Sequence, residues 1–310
     1  MLDKVYSDSF IFDCADLYKV YENETLHLIK TALEQNRLQI WIFEADQWLE
    51  NIRPLRNGSE SERFIYQKVM SWFSGSKLRK LPLNSLELPG YSNCMCTSIW
   101  LETEEQEQQI IHFLNHKGLL SLIKEELLSN NVSWLFKIVE LPTINFGRPF
   151  NWNDYLATYS HYTRKLFLFD RYFYYNWHRP IQDLVGEFFE INSNLQIEIV
   201  GELDEDNRSY PYAMRNIDLI KSTYPGKISF YKFQQKIGQD HHDRYLMTDY
   251  CLIKSEPGFS LTRKNQKSIR ETTPTIIGRY SSDSHKWRNE YFNWEQKKAE
   301  YFSLIEVAGY

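Results

Sequence analysis

A chain of 310 residues, 42% hydrophobic and 25% charged, is long enough to bury a large core or two smaller ones. Its 41 acidic and 36 basic side chains leave a net charge of −5, which excludes a global basic field for nucleic acid and confines any phosphate site to a local patch. The cysteines at 14, 94, 96 and 251 lack the density of a disulfide framework, and no stretch reaches the roughly 18 consecutive apolar residues of a membrane span. The N-terminal apolar run carries acids, unlike a leader peptide, so the expectation is a cytoplasmic protein with reduced thiols.

In chain order, Leu17, Val20, Leu26, Ile29 and Leu33 recur at helical intervals over residues 15–35, and "RLQIWIFEADQW" then has the apolar density of a strand. Residues 55–93 are rich in Gly, Ser, Pro and charge; the pattern predicts an exposed excursion holding one short helix at 62–74. From 94 to 150 the expected order is strand "CMCTSIWLE", helix 104–129, strand "SWLFKIVEL". His112 and His116 are four apart on that helix, but no third ligand completes a metal site, and they read as a solvated face. No cofactor is implied.

Pro142, Gly147 and Pro149 predict a linker, dividing the chain into a region 1–150 and a domain 151–310. Beyond it the order is strand "KLFLFDRYFYY", helix 180–191, strand "LQIEIVG", helix 212–224 and strand "KISFYKF". Strands alternating with helices imply an α/β class with a mostly parallel sheet. "DRYLMTDYCLIKS" alternates and predicts a hairpin of strands 243–248 and 251–255, turning near Thr248–Asp249.

That hairpin carries the chemistry. Residues two apart in a strand share a face, so His242 and Arg244 project together, an imidazole and a permanently charged fork able to address one phosphate. Asp249 has the opposite parity and is expected to pin the hairpin or a neighbouring backbone. Arg263, Lys264, Lys267 and Arg270 form a local basic cluster that extends the phosphate surface if it folds back beside His242. Tyr245, Tyr250, Trp287 and Trp294 suit either base stacking or the core, and core is the favoured reading.

"HDRYLMTD" is similar to the H-x-K-x4-D motif of the phospholipase D superfamily, with Arg244 where that family has lysine. The β-α-β-α-β order over 166–233 resembles the half-barrel that presents the motif. The closest resemblance is to the phospholipase D-like domain at the C-terminus of MIT-domain proteins, and it covers about residues 160–310. It implies His242 as nucleophile, Arg244 and Asp249 as its motif partners, His241 as support, Asp170 as the acidic residue such folds often carry at the end of their first strand, there to orient Arg244 or His242, and Ser260, with Gly258 and Asn265, as a displaced echo of the family's Gly-Ser and Asn. With one motif per chain, it also implies a homodimer that brings two copies of His242 together.

Three functions follow as expectations: a phosphate- or phosphodiester-binding module with weak or no hydrolysis, a metal-independent phosphodiesterase or nuclease, or a non-catalytic scaffold whose residues 1–150 hold a protein partner. A concave, convergent, basic face around Arg244 favours phosphate recognition, with DNA, RNA, a lipid headgroup or a nucleotide left open as ligand. A buried salt bridge from Arg244 to Asp170 favours the scaffold.

Overall fold

The computed structural model describes residues 3–7, 23–81, 96–109, 120–129, 131–149, 158–159, 162–171, 173–174, 186, 188–190, 192–233, 244–255 and 271–305. It is an α/β protein whose chain divides into two compact units, Met1–Lys137 with Tyr280–Ser282, and Ile138–Arg279 with Asp283–Tyr310. The boundary falls at Lys137/Ile138, ahead of the proline-marked stretch. That stretch is no free linker: Ile144 is buried and bridges Thr272, which ties it to the second unit.

The first unit is built on β1 (Asp3–Ser7), β2 (Leu38–Ile42), β3 (Leu78–Lys80), β4 (Cys96–Leu101) and β5 (Leu120–Ile123). All neighbours are parallel, in the order β3-β2-β1-β4-β5, so the chain starts in the middle and winds outward in both directions. Helix α1 (Glu24–Glu34) starts where the Asn23 side chain accepts from the Leu26 N–H, and it buries Leu26, Ile29 and Leu33 as their spacing predicts. Helix α2 (Ala45–Ile52) follows β2 within three residues, a helix start missed inside the predicted strand.

Residues 55–81 are not an excursion. Helix α3 (Glu60–Ser74) buries Ile65, Val69 and Trp72, and β3 then extends the sheet beside β2. The polar residues that suggested a loop are its caps: Ser59 and Glu62 exchange hydrogen bonds in a capping box, and Gly75 ends the helix. Within the expected helix 104–129, residues 104–109 and α4 (Lys124–Leu128) are helical, but Leu120–Ile123 pairs with β4. Pairing in the sheet overrides leucine's helix propensity there. "SWLF" is a 3-10 turn, so the strand expected over it is cut to β6 (Ile138–Glu140).

The second unit follows the expected order more closely. Strands β7 (Lys165–Phe169), β8 (Gln196–Gly201) and β9 (Ile228–Phe233) are parallel, with helical residues 186 and 188–190 ahead of β8 and α5 (Tyr210–Thr223) ahead of β9. The hairpin forms as β10 (Tyr245–Thr248) and β11 (Cys251–Lys254). Together with β12 (Thr275–Gly278) and β13 (Phe302–Leu304) the sheet runs β13-β9-β8-β7-β10-β11-β12-β6. Only β7–β8 and β8–β9 are parallel neighbours, so this sheet is mixed rather than mostly parallel; every strand added beyond β7 and β9 is antiparallel.

Helices α6 (Ser284–Phe292) and α7 (Trp294–Tyr301) bring Trp287 and Trp294 to one face of the sheet, in a buried cluster with Phe167, Phe169, Tyr245 and Met247. Tyr250 is buried as well. These four aromatic residues at 245, 250, 287 and 294 are therefore core, and none offers a ring for base stacking. Among the described residues no helix is long and apolar enough to cross a membrane.

Candidate functional site

From β7, at the middle of the second sheet, the chain lays β8 and β9 on one side and returns to the other side with β10. The strand order reverses between β7 and β10, a switch point at which the carboxyl end of β7 meets the start of the antiparallel β10. Asp170 sits there. Its N–H continues the ladder to the Val200 carbonyl at 3.1 Å, and its own carbonyl accepts from the Phe173 N–H, starting a tight turn.

The turn tucks Tyr174 onto the sheet, its hydroxyl within 2.8 Å of the Tyr231 carbonyl and 3.1 Å of the Ile199 carbonyl. Complete burial holds that phenol well above its ordinary pKa. Gly201 permits this approach, because a methyl group there would lie 2.8 Å from the Tyr174 ring. Beside it Arg171 donates to Glu202 at 2.7 Å, and at the end of β9 Lys232 pairs with Glu205 at 3.1 Å.

Arg244 lies immediately before β10. The register Tyr245↔Phe169 sets Arg244 opposite Asp170, and Tyr245↔Lys254 sets it opposite Ser255 on the other side. Directly opposed residues project to the same face, so Asp170, Arg244 and Ser255 form a row across β7, β10 and β11. The Ser255 N–H donates to the Arg244 carbonyl at 3.3 Å, which fixes that spacing. The Arg244 Nε is 3.8 Å from Asp170 Oδ1, with the arginine side chain 15% exposed and the aspartate 1%. This is an ion pair beyond hydrogen-bond length, and it is of the kind that favours the scaffold over a free basic face.

Asp249 stands elsewhere. It follows β10 at the opposite end, five residues and about 16 Å of extended chain from Arg244. Its Oδ2 accepts from the Arg164 and Lys165 N–H groups at 2.8 and 2.9 Å, and its Oδ1 from the Tyr291 hydroxyl at 2.9 Å. Burial, and next the Asp249 charge, push the Tyr291 phenol far up. The Asp249 carbonyl accepts from Arg279, whose guanidinium lies 4.3 Å above the Trp287 ring. Asp249 therefore pins the hairpin turn to the start of β7 and to α6, as its parity predicts, and does not share a ligand with Arg244.

The first residue of β11 carries the Cys251 thiol, buried, free and pushed up to about 12 by desolvation, which leaves it unreactive at neutral pH. His241, His242, Ser260, Arg263, Lys264 and Lys267 lie outside the described residues, as do His112 and His116. Among the described residues no three His, Cys, Asp or Glu side chains are grouped to hold a metal.

Ser255 is the site member that the sequence reading passed over. Its signal was countable: a two-residue turn at 249–250 fixes the hairpin register, and that register places residue 255 beside residue 244. The site's other half, Arg171 and Glu202, has no comparable signal, because only the parallel pairing of β7 and β8 brings them together. The class defined by fold and site is a two-unit α/β protein with a charged row at a switch point. No protein-family model matches the sequence, and no curated protein matches it.

Proposed function

We propose that the second unit is a phospholipase D-like module that recognises a phosphate or phosphodiester group at Arg244, works as a homodimer and turns its ligand over weakly or not at all. The carrying observation is the position of the Arg244–Asp170 pair at the switch point. A guanidinium that sits there supplies bidentate donors to phosphoryl oxygens. A buried carboxylate beside it cancels the positive field that a phosphodiesterase concentrates on its transition state, which argues for binding over catalysis. His242, two residues away, is the nucleophile of the alternative, a metal-independent phosphodiesterase or nuclease.

The same pair supports a second reading. Arg244, mostly enclosed and opposite a buried carboxylate, also serves simply to hold the ends of β7 and β10 together, and the unit is then a scaffold whose protein partner meets residues 1–150.

Turnover separates enzyme from module. Incubated with an aryl phosphodiester, or with single- or double-stranded nucleic acid, with and without Mg²⁺, the wild-type chain is expected to release no product above buffer. Metal-independent cleavage abolished in His242→Ala would establish the enzyme instead.

A further inference from the structure

The chain enters the first unit twice. Residues Tyr280–Ser282 belong to that unit, although β12 before them and α6 after them belong to the second. Tyr280 and Ser281 are fully buried. The Tyr280 N–H donates to the Leu135 carbonyl at 2.7 Å, its carbonyl accepts from Arg37 in the turn between α1 and β2, and its ring lies 5.2 Å from that of Phe136. The segment is therefore part of the first unit's core.

Its two flanks are fastened to a single turn of the second unit. Upstream, the Arg279 N–H donates to the Tyr250 carbonyl and the Arg279 guanidinium to the Asp249 carbonyl, each at 2.9 Å. Downstream, Trp287 on α6 donates to the Thr248 carbonyl at 2.9 Å. Arg279 and Tyr280 are bonded neighbours, about 3.8 Å apart at their Cα atoms, so neither leaves its seat without pulling on the other.

We infer that Tyr280–Ser282 is a tie through which the first unit sets the stability of the β10–β11 hairpin in the second. Opening of the first unit removes the burial and the hydrogen bonds that hold Tyr280, and Arg279 then loses the anchor next to it. Whatever tightens the first unit, a bound partner included, protects the hairpin by the same linkage. The tie is independent of any ligand at Arg244.

The test uses the full chain, with the buried thiol of Cys251 at the start of β11 as reporter. Alkylation by iodoacetamide in urea below the unfolding transition, read at the Cys251 peptide by mass spectrometry, measures how often the hairpin opens. Val69→Ala thins the core of the first unit beneath α3, where Val69 is fully buried. It is expected to speed amide exchange in β1 and, through the tie, to speed Cys251 alkylation at least about fivefold. In a Tyr280→Ala background the same substitution is expected to change Cys251 alkylation by less than about twofold, because the anchor beside Arg279 is already gone.

Faster exchange in β1 with Cys251 alkylation unchanged overturns the coupling. A fivefold effect that persists in the Tyr280→Ala background overturns the tie as its route. If Tyr280→Ala does not fold, Arg37→Met, which removes a donor to the Tyr280 carbonyl and keeps the ring, takes its place with the same two outcomes.

Discussion

Asp249→Ala is expected to destabilise the second unit by about 3 kcal/mol while leaving any ligand affinity at Arg244 unchanged. The carboxylate accepts from two backbone N–H groups at the start of β7 and from the Tyr291 hydroxyl. Removing it leaves three donors without their acceptor, one of them on a largely buried ring. Bonds to an ionised acceptor contribute more than neutral ones, and orphaned donors keep their desolvation cost, which together set the estimate. Asp249→Asn keeps an acceptor oxygen and is expected to lose less. Chemical denaturation of the three proteins gives the ranking, and titration of a phosphodiester gives the affinity. An Asp249→Ala chain of wild-type stability that no longer binds ligand would move Asp249 from the hairpin to the site.

Trp287→Ala is expected to cost more, about 4 kcal/mol, because the residue fills the core and also ties three elements together. Trp287 is fully buried, its indole N–H donates to the Thr248 carbonyl at 2.9 Å, and its ring stacks on Tyr291 at 4.7 Å. The Arg279 guanidinium rests on the same ring. Truncation opens a cavity, leaves the Thr248 carbonyl without its indole donor, and strips the aromatic face from an enclosed arginine. Trp287→Phe keeps a ring without the N–H and is expected to recover about half of the loss. Denaturation in urea measures both variants. Equal stability of wild type and Trp287→Ala would contradict this account of how α6 is anchored to the hairpin.

The hairpin in "DRYLMTDYCLIKS" was legible because two short apolar strands around a two-residue turn leave one consistent register, although the strands are buried on both faces and not on alternate residues. From that register followed the parity that separates Arg244 from Asp249, and the structure bears this out. The parallel trio β7-β8-β9 was legible for a similar reason: each strand is a short apolar run bounded by a helical pattern. The eight-stranded width was not, since β6 and β13 are three-residue strands whose pairing with β12 and β9 is set by tertiary contact alone. In the first unit the helix expected at 62–74 forms as α3, with Ser59 and Gly75 at its ends, inside a stretch whose Gly, Ser and charge predict an exposed excursion. Composition marks where a helix is capped and where a loop runs with the same residue types. The neutralised edge was least visible. Asp170 with Arg244, and Arg171 with Glu202, are 74 and 31 positions apart in sequence, and only the strand order joins them.

Arg244, at the switch point of the second sheet, is where we propose that a phosphoryl group binds. Titration of a phosphodiester into the wild type, Arg244→Lys and Arg244→Ala at one salt concentration tests it most directly. Measurable affinity is expected in the wild type, partial retention in Arg244→Lys, where the charge stays but the bidentate fork is lost, and a loss of at least about tenfold in Arg244→Ala. Equal affinity in all three proteins, each with wild-type stability, would contradict it and move the ligand site away from the Asp170–Arg244–Ser255 row.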